Sequence, residues 1–214
     1  MALKVKICGV KSISHVKACI NGKANMIGLM FYNKSPRYLN LELAKKISNF
    51  AKKKIKKVGV FANADINKLK KITESVQLDY LQFHGNESVI FLKKVKKMFK
   101  IKIIRAIKIS NKSDLNKISI FNKVSDYILL DTKIVKKKNL NYKKKSRKLN
   151  WDLINKIKNK KKLILSGGLS VDNLELATKK SNIKFVDASS GLETLTGKKN
   201  IKKINKFLEL AGRL

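Results

Sequence analysis

The stretch Lys4-Val-Lys-Ile-Cys-Gly9 decides how the rest of the chain is read. It is apolar where a strand would be buried, it ends on a thiol, and a glycine follows at once. A reactive group at the C-terminal end of a parallel strand, with a flexible residue behind it, is how α/β barrels place their chemistry. A lone Cys in an apolar strand is more often a small core hydrophobe than a catalyst. The company that Cys8 keeps along the chain therefore has to decide its role.

Working outward from it, strand-like apolar runs alternate with helical patterns to the end. A helix from Ser12 to Asn21, stopped by Gly22, leads to a strand over Asn25-Met-Ile-Gly-Leu-Met-Phe31 and a loop with the one proline, Pro36. Leu43, Ala44, Ile47, Phe50 and Ala51 recur at the spacing of one buried helical face. Strands then follow at Lys57–Phe61, Asp79–His84, Lys102–Ile107, Asp126–Asp131, Lys162–Ser166 and Lys184–Asp187, each trailed by a helical pattern. The helix after Lys102–Ile107 is weak, and the one after Ser166 is expected to be capped by Ser170. Another begins near Asn150-Trp151, where Trp151 packs its start. Eight β-then-α units with continuously apolar strands predict one parallel (β/α)8 barrel domain over residues 1–214. A doubly wound sheet fits less well, because no G-x-G-x-x-G opens a helix.

Composition narrows the function. With 43% hydrophobic residues the chain has enough apolar surface for a core, and no apolar run is long enough to span a bilayer. No signal-peptide pattern opens it, and two cysteines, Cys8 and Cys19, suit a reducing cytosol, so a cytoplasmic protein is expected. Fifty-one Lys+Arg against 14 Asp+Glu give a net charge of +37. That excess points either to nucleic-acid binding or to an AT-rich coding bias, since Lys, Asn and Ile are all abundant. The lysines lie on nearly every helix and loop rather than along one stripe, and no RNA-binding aromatic motif accompanies them. The bias explains them better, although the field they make still favours anionic substrates.

The placement of the polar residues carries the most information. Cys8, His84, Asp131, Gly167-Gly168 and Asp187 through Gly191 all fall at or just after the C-terminal end of a strand, and in a barrel those ends share one rim. Gly167-Gly168 and Ser189-Ser190-Gly191 follow strands seven and eight, where barrels often bind phosphate through backbone N–H groups. Asp131 ends an apolar strand, either as a satisfied cap or as a proton-transfer group. Arg37, in Lys34-Ser-Pro-Arg37, has the planar fork that clamps a carboxylate. His84 either binds a substrate or turns the chain, while His15 and Cys19 lie within the first helix and read as packing or surface.

Taken together these segments resemble the phosphoribosylanthranilate isomerases of tryptophan biosynthesis. The residues that carry the likeness are Lys6-Ile-Cys-Gly9, Ile27–Tyr32 with Ser35-Pro-Arg37-Tyr38, Val58–Phe61, Leu81–Gly85, Leu129-Leu-Asp131, Ser166–Leu169 and Val186–Glu193. The resemblance implies an Amadori rearrangement of N-(5-phosphoribosyl)anthranilate that needs no cofactor and no metal. It makes Asp131 the general acid and Cys8 the general base. Arg37 would hold the anthranilate end, His84 and Asp187 would contact the sugar or order the site, and Gly167, Gly168, Ser190 and Gly191 would hold the phosphate. The partner implied is a small anionic phosphosugar, with neither membrane nor nucleic acid.

One segment departs from the family's pattern. Where its members usually carry a glycine-rich loop, Lys133 to Lys148 contains no glycine, and its lysines are expected to reach the substrate's anions. The cationic surroundings are also expected to lower the pKa of the Cys8 thiol from its ordinary value of about 8.5. Two other readings compete: another phosphosugar isomerase or epimerase barrel, and a basic RNA-associated protein on the same fold. The first would need metal-ligating His and Asp residues on several strands, or strand-end Lys and Glu in place of Cys8 and Asp131. The second is at odds with intact polar groups at so many strand ends.

Overall fold

Strand periodicity builds the molecule. In the computed structural model, which describes residues 3–132 and 151–214, eight parallel strands close into a barrel in sequence order. They are β1 (Lys4–Cys8), β2 (Met26–Met30), β3 (Lys56–Phe61), β4 (Tyr80–Phe83), β5 (Lys102–Ile109), β6 (Tyr127–Thr132), β7 (Leu163–Leu165) and β8 (Phe185–Ala188). The closing pair, β8 on β1, sets Val5 opposite Val186 and Lys6 opposite Asp187. Between the strands run α1 (Ile13–Asn21), α2 (Leu41–Ala51), α3 (Ile66–Ser75), α4 (Val89–Phe99), α5 (Asn116–Asn122), α6 (Trp151–Asn155) and α7 (Leu174–Ser181), and α8 (Ile201–Arg213) follows the last.

Because side chains alternate across a strand, each one feeds two cores. Val5, Ile7, Ile27, Leu29, Leu81, Phe83, Ile128 and Leu130 face outward under the helices. Met26, Val58, Val60, Tyr80, Ile104, Ala106, Leu129, Ile164 and Phe185 fill the lumen, and Cys8 is in their cluster. The helices answer with one apolar face each; that of α8 buries Ile204, Phe207, Leu208 and Ala211. Ser12, Asn40, Asp65, Ser88 and Asn200 cap α1, α2, α3, α4 and α8 by accepting a backbone N–H of the first turn, each worth about 1 kcal/mol.

Two features differ from the sequence reading. Ser170 does not cap a helix: α7 begins at Leu174 after Asn173. Ser170 sits in the preceding turn, where its N–H donates to Asn173 Oδ1 at 2.9 Å. A short antiparallel hairpin, β9 (Glu193–Leu195) and β10 (Lys198–Lys199), also lies between β8 and α8. Its strands are too short to show any periodicity. Trp151 is buried at the start of α6, as expected.

Candidate active site

The site is built at the C-terminal rim, starting from β1. Lys6 and Cys8 are two apart and so share the lumen face; Lys6 is 0% exposed and Cys8 6%. Lys6 Nζ donates to Asp187 Oδ1 at 2.8 Å, and Ser166 Oγ donates to the other oxygen at 3.2 Å. Both oxygens of Asp187 are thereby engaged. Burial pushes the Cys8 thiol up, the positive charges of Lys6 and Lys199 pull it down, and Asp187 pushes it up again. The balance is a raised value, so the lowered one expected from cationic surroundings does not hold. Burial works against the Lys6 ammonium too, but Asp187 and Cys8 outweigh it and Lys6 stays charged. Cys19, wholly buried in α1, is pushed up to about 12 by burial.

Across the rim, His84 Nε2 lies 3.0 Å from Asp131 Oδ2, with both side chains about a quarter exposed. Asp131 shares the lumen face of β6 with Leu129. The residues flanking His84, Phe83 and Gly85, are held by a buried network absent from the sequence reading. Arg105, facing outward on β5, donates to Glu87 Oε2 at 2.6 Å and to the carbonyl of Gly85 at 2.9 Å. Glu87 Oε1 accepts the Asn63 N–H at 2.7 Å. The guanidinium also lies 4.7 Å from the Phe121 ring centroid. Arg105, a charged residue in the apolar middle of β5, was the signal of this network.

Arg37 does clamp a carboxylate, and it belongs to Glu193: Nε and Nη2 each donate at 2.7 Å. Glu193 also accepts from Lys199 Nζ at 2.6 Å and from the Gly197 N–H at 3.0 Å. Burial would raise its pKa, but Arg37, Lys199 and the Gly197 amide overcome that and hold it at about 2. Lys199 Nζ further donates to the carbonyl of Ser189 at 3.1 Å, and Ser189 Oγ donates to that of Cys8 at 3.1 Å. The hairpin is thus tied to β1. In the sequence Glu193 stands out only as the last residue of the Val186–Glu193 segment.

The two glycine segments meet. Gly167 and Gly168 have φ of +102° and +68°, a left-handed turn that favours glycine. A Cβ on Gly191 would lie 2.0 Å from the Leu169 carbonyl oxygen, so only glycine lets Ser190-Gly191 approach the turn after β7. Gly168 and Ser190 are exposed on the rim. Lys133 to Lys148, expected to reach the substrate, lie outside the described residues. Among the described residues no group of three or more His, Cys, Asp or Glu could hold a metal ion, and no helix is long and apolar enough to cross a membrane.

A closed parallel (β/α)8 barrel whose ionisable groups and glycine turns gather at the C-terminal strand ends belongs to the class of barrels that act on small molecules at that rim. Residues 5–210 match the family described as N-(5'phosphoribosyl)anthranilate (PRA) isomerase, and the chain belongs to that family. It is 34% identical over 209 residues to the N-(5'-phosphoribosyl)anthranilate isomerase of Cereibacter sphaeroides, covering 98% of each chain. The crystal structure of phosphoribosyl anthranilate isomerase from Thermotoga maritima superposes with a TM-score of 0.85 at 32% identity, over 99% of this chain and 100% of that one. A structure of such an isomerase in complex with reduced 1-(o-carboxyphenylamino)-1-deoxyribulose 5-phosphate superposes with a TM-score of 0.83 at 30% identity, over 99% of this chain and 100% of that one.

Proposed function

We propose that this chain, as one barrel domain in the cytoplasm, isomerises N-(5-phosphoribosyl)anthranilate to 1-(2-carboxyphenylamino)-1-deoxyribulose 5-phosphate in tryptophan biosynthesis, with Asp131 as general acid and Cys8 as general base. The observation that carries the reading is the family match over residues 5–210, on a rim that faces a thiol and a carboxyl into one lumen. Asp131 gives its proton to the ribose ring oxygen as the C1–O bond breaks, and the anilino nitrogen lone pair forms the C1=N iminium. The iminium acidifies the C2–H. Cys8, as thiolate, removes that proton, and the freed electron pair forms the C1=C2 bond and neutralises the nitrogen. The resulting enolamine takes a proton at C1 as its C2 hydroxyl gives one up, and becomes the C2 ketone. No atom is gained or lost, and the enzyme forms no covalent adduct.

The remaining residues bind and align. His84 sets the orientation of the Asp131 carboxyl. Gly167, Gly168, Ser190 and Gly191 present backbone N–H groups to the phosphate. Glu193 takes Nε and Nη2 of Arg37, which leaves Nη1 for the anthranilate carboxylate. Asp187, engaged by Lys6 and Ser166, orders the site rather than contacting the sugar. The +37 charge draws in a small anionic substrate, and nucleic acid is not its partner. Purified protein is expected to convert N-(5-phosphoribosyl)anthranilate to the deoxyribulose product. Folded protein that leaves this substrate unchanged would overturn the reading.

A further inference from the structure

Lys6 poses a physical problem. Among the described residues it heads the fully buried side chains by volume, yet it carries a charge in a lumen otherwise lined mainly by apolar groups. A buried ion pair is no gain in stability over apolar side chains of the same size, so the Lys6–Asp187 pair calls for another reason. Its position supplies one. Lys6 lies two residues before Cys8 on the same face of β1, and Asp187 is its register partner on β8.

We propose that Lys6 is a positioning residue for the isomerisation: its ammonium, held in place by Asp187 and Ser166, is the fixed counter-charge that lets the buried Cys8 sulfur bear negative charge. The proposal rests on the reading of Cys8 as the base. Among the described residues, the charged groups that act on the thiol have known signs. Lys6 from β1 and Lys199 from β10 favour the thiolate, and Asp187 from β8 opposes it, less strongly than Lys6 favours it. From β2 the thiol meets Gly28, where a Cβ would come within 2.7 Å of Sγ, and the lumen cluster adds Met26. From β3, β5, β6 and β7 the lumen cluster offers Val58, Val60, Ile104, Ala106, Leu129 and Ile164, and from β4 Tyr80, whose phenol burial pushes up and keeps neutral. Asp187 is therefore the cost of holding Lys6 still, and Lys6 outweighs it.

Opposed signs give a test that a merely structural role would not pass. The thiolate midpoint is read by ultraviolet absorbance across pH, each variant against its own Cys8→Ala counterpart, beside the pH profile of kcat/KM. Lys6→Met should raise the midpoint by about 1–3 pH units and lower kcat/KM at neutral pH by about 10- to 1,000-fold. Asp187→Asn should lower the midpoint. Lys6→Met with Asp187→Asn should raise it, by less than Lys6→Met alone. That double variant leaves no buried charge unpaired, so it carries the test if Lys6→Met alone does not fold. A midpoint unchanged or lowered on losing Lys6, or single variants that shift it the same way, would overturn the proposal. Midpoints that move as stated while the kcat/KM profile stays put would leave Lys6's hold on the thiol standing and refute Cys8 as the base.

Discussion

The two ends of the barrel use their scarce acids differently. At the N-terminal end, side chains repeat one task. Asn25 Oδ1 accepts the Val5 N–H at 2.7 Å, Asp79 Oδ2 that of Lys57 at 2.9 Å, and Asp126 Oδ2 that of Ile103 at 2.8 Å. Each of these residues precedes an even-numbered strand and secures the start of the odd-numbered strand before it. At the C-terminal end no arrangement repeats: Asp131 meets a histidine, Asp187 a buried lysine and a serine, and Glu193 an arginine, a lysine and an amide. The buried carboxylates among the described residues, Glu87, Asp187 and Glu193, are all at this end. Repetition marks the face that holds the sheet, and variety marks the face that does chemistry. In a chain with 51 basic residues and 14 acidic ones, the acids rather than the lysines locate the site.

The comparison breaks if an acid at one end behaves like an acid at the other. Asp131→Asn should lower kcat by about 10²- to 10⁴-fold and shift the unfolding midpoint in urea little, because the residue is a quarter exposed. Glu193→Gln should lower stability by about 3 kcal/mol, read in the same urea titration, because two cations lose their shared carboxylate. Substrate KM should rise as Arg37 loses its anchor. The pH dependence of that loss has a fixed sign. Glu193 is held at about 2 against an ordinary 4.5, so its contribution is fully present above pH 4.5 and fades as pH falls toward 2. Wild type and Glu193→Gln should converge there. Asp126→Ala, at the opposite end, should cost about 1 kcal/mol in stability and leave kcat unchanged.

Much of this contrast was legible in the chain because a strand's period carries both its core and its end. Apolar runs that stop at Cys8, His84, Asp131 and Asp187 told where the rim is. What escaped depends on contacts between distant residues. Arg37 and Glu193 are 156 residues apart, and nothing at Arg37 names its partner. The hairpin carrying Glu193 and Lys199 is too short to be periodic. Ser170 lay three residues before the observed N-cap, Asn173, because the glycine turn is followed by a further turn built on Asn173. The Cys8 expectation failed for a different reason. Composition counts charges across the whole surface, most of them screened beyond about 8 Å, whereas burial and three neighbours decide the thiol.

The central claim is that Cys8 and Asp131 divide one proton-transfer cycle between them. The most direct test is steady-state turnover of N-(5-phosphoribosyl)anthranilate by Cys8→Ala, with Asp126→Ala as the structural control and circular dichroism to show that both are folded. The account predicts a Cys8→Ala kcat about 10²- to 10⁴-fold below wild type and an Asp126→Ala kcat equal to it. A folded Cys8→Ala protein with wild-type turnover would contradict it.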